Sequence, residues 1–185
     1  MKFARSVLVI ALGVSLALPL LAKPKMVSLT DLAPTPEQGE AADWVSKYLT
    51  RLHYASKPLD DTMSHEILKR YIESLDSEKV FFLKSDIDGF SRRYADSLDE
   101  AIEQRQLEPV YEIYKTYLKR LHERTDYARG LLKKGFDFTI DEDYAYDRKD
   151  AEWARDSAEL DEHWRQRIKN DWLRLKLAER KDDKI

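Results

Sequence analysis

The 185-residue sequence predicts an all-α fold, an irregular domain of about five helices behind an N-terminal export signal. Composition is the first reason: five Gly in the whole chain, with Leu, Ala, Glu, Lys and Arg abundant, favours helix over sheet. The second is periodicity, because apolar residues recur every three or four positions through most of residues 36–178. The third is punctuation. Pro, Gly and capping residues fall between those stripes rather than inside them.

The N-terminus sets the compartment. Lys2 and Arg5 precede an apolar run from Val7 to Leu21, after which Ala22 gives way to Lys23, Pro24 and Lys25. A basic start, a short apolar stretch and a small residue before a polar segment describe a secretory signal peptide spanning residues 1–22. Leu20 is larger than the residue usual three positions before the cleaved bond, and a retained membrane anchor is the competing reading. Both readings place the remaining chain outside the cytoplasm, in the periplasm and, with an uncleaved signal, at the inner membrane. Removing residues 1–22 takes away two of the 32 basic residues and none of the 35 acidic ones, leaving a net charge of −5.

Residues 23–35 carry Pro24 and Pro34 with no periodic pattern and read as a flexible leader. Residues 36–185 form the helical domain. Thr35, Pro36 and Gln38 make a helix start, with Thr35 as cap and Gln38 three positions on. Ala41, Val45, Tyr48 and Leu52 follow as a stripe that Trp44 and Leu49 widen, and Pro58 is the expected stop. Leu59, Asp60 and Asp61 open a second helix whose face is Met63, Ile67, Tyr71 and Leu75, with Leu68 and Ile72 beside them. Four large apolar residues, Val80 to Leu83, then interrupt the helical pattern. Ser85 and Asp88 have capping-box spacing for a third helix bearing Ile87, Phe90, Tyr94, Leu98 and Ala101.

After a break at Leu107, Glu108 and Pro109, a long fourth helix carries Val110, Tyr114, Tyr117, Leu121, Ala128 and Leu132, with Gly135 as its C-terminal cap. Residues 136–140 alternate apolar and polar and are read as either a short extended strand or a packed loop. Residues 141–156 are acidic and irregular, pinned by Tyr144, Tyr146 and Trp153. The last helix starts near Ser157 and carries Leu160, Trp164, Ile168, Trp172 and Leu175. No stop signal precedes Ile185, as in a truncated chain, though a frayed natural end gives the same letters. The stripes are core-facing by default, while ten Tyr and four Trp also suit an interface.

Several chemistries are excluded by spacing. Acidic and basic residues are intermixed, so there is no basic field for nucleic acid. With no Cys there is no disulfide framework, thiolate nucleophile, Cys-built zinc site or lipid attachment. None of His53, His65, His122 and His163 has a second His three or four residues away, and none follows a Glu by three. His122-Glu123 begins like a zincin, but Asp126 stands where the second His is required. Asp141, Asp143 and Asp147 fail as a calcium loop because Tyr146 replaces the sixth-position Gly. Glu159 and His163 are read as a surface ion pair.

Neither Gly-x-Ser-x-Gly nor Ser-x-x-Lys occurs. Ser46-Lys47 and Ser56-Lys57 are sequence neighbours, which point about 100° apart on a helix. No catalytic, cofactor-binding or metal-ligating residue is therefore assigned, and no cofactor.

The stretch from Leu75 through Ile87, containing Asp76, Ser77, Glu78, Lys79 and the apolar four, resembles a segment of the N-terminal domain of tail-specific, C-terminal-processing proteases of the bacterial envelope (peptidase family S41). The likeness continues at His53-Tyr54, Leu59-Asp60-Asp61, Arg70-Tyr71, Phe136-Asp137-Phe138-Thr139, Asp147-Arg148, Trp153, Leu160, Trp164 and Leu175-Lys176-Leu177. Each piece is weak alone; their order and spacing over about 130 residues carry the resemblance. It implies a helical domain ahead of a PDZ domain and a serine protease domain with a Ser/Lys dyad. None of that family's catalytic or PDZ residues can be placed on this sequence. It further implies a periplasmic endopeptidase acting on proteins presented by their C-terminal ends, with this domain framing the substrate entrance and offering a surface to an adaptor protein. The alternative is a stand-alone secreted helical module that binds proteins without cutting them.

Overall fold

The computed structural model describes residues 28–178; the expected signal peptide, the start of the leader and residues 179–185 lie outside the described part. Among the described residues the fold is all-α, with six α-helices and no strand. They are α1 (Pro36–Arg51), α2 (Asp61–Leu75), α3 (Lys84–Tyr94), α4 (Leu98–Glu103), α5 (Glu108–Lys134) and α6 (Ser157–Leu177). None is long and apolar enough to cross a membrane. At the described end of the leader, Leu29–Asp31 make one 3₁₀ turn capped by the Ser28 hydroxyl.

Local chemistry explains most boundaries. The Thr35 N–H donates to the Gln38 side chain at 2.8 Å, and the Asp60 and Asp156 carboxylates cap α2 and α6 by accepting from Met63 N and Glu159 N. Pro109 sits inside the first turn of α5, where its missing donor costs nothing. Gly135 ends α5 at φ 76°, a left-handed region open to glycine. The segment 136–140 is a loop rather than a strand, folded on an Asp137–Thr139 turn.

Three boundaries differ from expectation. α1 ends at Arg51, well before Pro58, where the Ser56 hydroxyl takes the Thr50 carbonyl and competes with continued helix. α3 begins at Lys84, and its capping carboxylate is Asp86, which accepts from Leu83 N at 3.0 Å; Asp88 pairs with Lys84 instead. The expected third helix is two helices, α3 and α4. Buried Ser64 of α2 accepts the Asp99 backbone N–H at 2.8 Å and donates to Asp99 Oδ1 at 2.7 Å. That N–H is thereby removed from the helical ladder, and the chain turns between Tyr94 and Leu98.

The core lies where α2, α3, α4 and α5 meet. Leu68, Ile72, Phe82, Phe90, Tyr94, Ala95, Leu98 and Ile113 form its centre, with Trp153 and Tyr117 packed against it. A second cluster of Leu83, Ala154 and Leu160, flanked by Trp164, joins α6 to the same place. The described residues thus enclose a hydrophobic core of their own.

Candidate functional site

The 76–83 loop is the joint of the molecule. Asp76 is buried and its carboxylate accepts from Val80 N, Phe81 N and Phe82 N at 2.8, 2.9 and 2.9 Å. Three donors on one acid fold the backbone over it, with Lys79 in the left-handed region at φ 53°. Burial raises the Asp76 pKa, against the opposing pull of those three hydrogen bonds. The loop so shaped throws its two phenylalanines in different directions. Phe82 is fully buried, edge-on to Phe90 at 5.6 Å and to Trp153 at 6.2 Å. Phe81 meets Tyr117 of α5 at 5.3 Å and Trp164 of α6 at 5.7 Å.

The backbone of the loop then binds the C-terminal third of the fold. Trp164 Nε1 donates to Val80 O at 2.6 Å, Lys84 N to Ala154 O at 2.8 Å, Lys79 Nζ to Ala151 O at 2.6 Å, and Arg148 N to Glu78 at 3.2 Å. Leu83 and Ala154 form a single parallel bridge. Residues separated by some 70 positions are locked by these contacts, and every group in them is committed to structure.

The irregular 136–156 segment is strapped along α6. Glu142 pairs with Arg165 and Lys169, Lys169 Nζ also reaches Ile140 O at 3.1 Å, and Asn170 donates to the Tyr146 hydroxyl at 2.6 Å. Hydrogen bonds from Arg165, then Lys169, hold the Glu142 carboxyl down to about 2. Arg120 clasps Asp86 through Nε and Nη2, both at 2.9 Å, tying α5 to α3.

The histidines tested for chemistry are spread over several helices and loops. His65 meets Asp96 at 2.7 Å, His122 Nδ1 lies 2.8 Å from Leu118 O, and His53 accepts from Ala55 N. His163 is half-buried, and burial together with nearby Arg148 lowers its pKa. Glu159 does not pair with it as expected; it takes Arg155 at 2.9 Å. Ser46 donates to Asp43 O and Ser56 to Thr50 O, while Lys47 pairs with Asp43, so neither adjacent Ser and Lys share a proton.

Among the described residues, Asp61, Asp99 and Glu100 bring carboxylate oxygens within 4.8 Å of one another. Asp99 is already satisfied by Ser64, and its hydrogen bond to Glu100 raises the Glu100 pKa. The sequence singled out Asp61 beside Asp60 but gave no sign of this trio, because the Ser64–Asp99 contact spans 35 residues.

α1 presents an extended apolar surface among the described residues. Its small and charged side faces the body: Gly39 lies so close to the chain after α4 that an added Cβ would stand 2.5 Å from Arg105 O, and buried Asp43 binds Arg105 at 3.1 Å. Its large apolar stripe points outward, with Trp44 72% and Leu52 73% exposed. This corrects the core-facing reading of that stripe. The outward side borders an open groove of about 720 Å³ lined by Val45, Leu49, Met63, Ile67 and Ile102. The missed signal was the polar face, where a glycine and an acid one turn apart marked the side that docks.

The described residues form an all-α unit in which many charged groups serve as caps, straps and joints. The family model described as the tail specific protease N-terminal domain matches residues 45–185, and the chain belongs to that family. It is 36% identical over 163 residues to a tail-specific protease of Haemophilus influenzae. The match takes in 88% of this chain and 23% of that relative, so the chain spans about a quarter of the curated relative's length.

Proposed function

We propose that this chain is the N-terminal scaffold and substrate-access domain of a periplasmic C-terminal-processing serine endopeptidase that trims or degrades envelope proteins from their C-terminal ends. The Ser/Lys chemistry and the PDZ capture of substrate tails belong to polypeptide outside this chain. The match of residues 45–185 to the N-terminal domain of tail-specific proteases is the observation that carries this reading. The side-chain geometry is compatible with it, since Ser46, Ser56, Lys47 and His65 each have a structural partner. Export by residues 1–22 would bring the domain to the envelope, where such substrates and an adaptor protein are met.

A chimera tests the proposal. Residues 23–185 replace the matching N-terminal quarter of the H. influenzae relative, and the product is given an unfolded protein with its native C-terminus or with that tail removed. The reading predicts cleavage that depends on the tail, and no cleavage by residues 23–185 alone. Activity of residues 23–185 alone, abolished by a point substitution within them, would refute it.

A second reading, a secreted helical module that binds proteins without cutting them, is favoured by the exposed α1 face. It predicts an inactive chimera, together with capture of intact envelope proteins by this chain.

A further inference from the structure

Where the irregular strap passes α6, two side-chain nitrogens are left out of every hydrogen bond. Arg148 Nε and His163 Nδ1 are both sealed from solvent, and neither has a partner among the described residues. Arg148 belongs to the joint through its backbone, whose N–H donates to Glu78 at 3.2 Å. Just beyond it, Ala151 O and Ala154 O accept from Lys79 Nζ and Lys84 N. Because the two nitrogens are already enclosed, polypeptide outside this chain cannot supply their missing partners without opening that joint.

One proton decides whether the pair is tolerable. The Arg148 Nε is always a donor, whereas a neutral imidazole can keep Nδ1 as an acceptor. The two atoms are therefore complementary while His163 is neutral. A proton on Nδ1 makes it a second buried donor without an acceptor and places a second positive charge near Arg148. The acids that act on His163 from its own helix are occupied: Glu159 accepts from Arg155 N and Nε at 3.1 and 2.9 Å, and Glu162 accepts from Arg165 and Gln166. Glu78 of the 76–83 loop holds the Arg148 amide, and α5 directs its buried Arg124 to Asp161. Arg167, one turn along α6, lies over the Trp164 ring and adds positive charge. Burial first, then Arg148, lowers the His163 pKa from its ordinary 6.5, against the pull of Glu159 and Glu162.

We propose that His163 is an acid-operated release for the joint: when its imidazole takes a second proton, residues 147–153 loosen from α6 and the 76–83 loop while the main core stays closed. The inference goes beyond the protease reading and does not depend on it. In the opened segment His163 returns to its ordinary value. The closed state thus keeps its full advantage above about 6.5 and loses it as pH falls from there to the lower folded value.

Peptide-resolved amide exchange of residues 23–185 between about pH 7 and about pH 5, corrected for the intrinsic pH dependence of exchange, tests the release, with the His163 imidazole followed by NMR over the same range. The expected result is several-fold faster exchange of residues 147–153 at the acid end, in step with the imidazole titration, and unchanged protection of α2. His163→Gln keeps the segment closed throughout. Arg148→Gln moves the His163 midpoint up towards its ordinary value and weakens the acid response. Asp76, at the base of the same loop, also has a raised pKa, so a transition that survives His163→Gln belongs to that acid and overturns the proposal. A His163 midpoint at or above its ordinary value in the unaltered chain overturns it without any variant. Exchange of 147–153 indifferent to pH, or acid opening shared equally by α2, overturns it as well.

Discussion

In the 76–83 loop Val80, Phe82 and Leu83 are at most 7% exposed, whereas in α1 Trp44, Val45, Tyr48, Leu49 and Leu52 are all at least 50% exposed. The two segments are similarly rich in large apolar residues, so hydrophobicity does not separate them. Backbone anchoring does. The loop has an acid at its start that organises three consecutive N–H groups and aims the side chains inward from several directions. α1 has one apolar side, and the contact that fixes the helix, Gly39 and Asp43 against Arg105, lies on the other. A stripe is buried only if the opposite face has no stronger claim on the body of the fold.

The contrast breaks most severely at Phe82. Phe82→Ala empties the centre of the core and is expected to cost about 3–5 kcal/mol in urea unfolding followed by circular dichroism. Asp76→Ala keeps every apolar contact but strands three amide donors, two of them on buried residues, and should cost about 2–4 kcal/mol. The same titration that shows no comparable loss for Asp76→Ala would remove the carboxylate from its organising role.

Two glycines sharpen the comparison through opposite signs. Gly130 in α5 has open space where a Cβ would go, so Gly130→Ala should stabilise by about 0.5–1 kcal/mol through helix propensity. Gly39→Ala drives a Cβ to 2.5 Å from Arg105 O and should destabilise by about 1–3 kcal/mol, lifting α1 while the core signal persists. Equal effects of the two substitutions would mean that α1 is not seated through its glycine. At the small end, Trp44→Ser should change the stability of the chain by no more than about 0.5 kcal/mol.

Acid acts on a third region. The Glu142 carboxyl is held at about 2 in the fold, below its ordinary 4.5, so its contribution is complete above the ordinary value and is lost as pH falls through the folded one. Amide signals from residues 138–146 should therefore shift between about pH 4.5 and 2 before the core unfolds. Glu142→Gln should remove that transition. Its persistence in the variant would assign it to another acid.

Much of this was legible from the residues. The caps at Thr35, Asp60 and Gly135 follow from local chemistry, and the expected stripes of α2 and α5 are half-buried, flanking the fully buried Leu68, Ile72 and Ile113. The division of α3 from α4 was not legible, since it is dictated by a serine 35 residues upstream. The outward turn of α1 was missed, because the Gly39 contact is with a backbone carbonyl 66 positions away and the apolar periodicity does not record it; the one local sign is the glycine and acid on the polar face. The candidate surface was thus visible as a stripe and misplaced as core.

Hydrogen exchange of the dilute chain, resolved by peptide, tests the contrast between core and α1 most directly. Amides of α2, α5 and the 80–83 segment should exchange only through global unfolding, while those of α1 exchange through a separate opening at least about tenfold more often. Protection of α1 equal to that of the core would contradict a helix held mainly through a small, polar face.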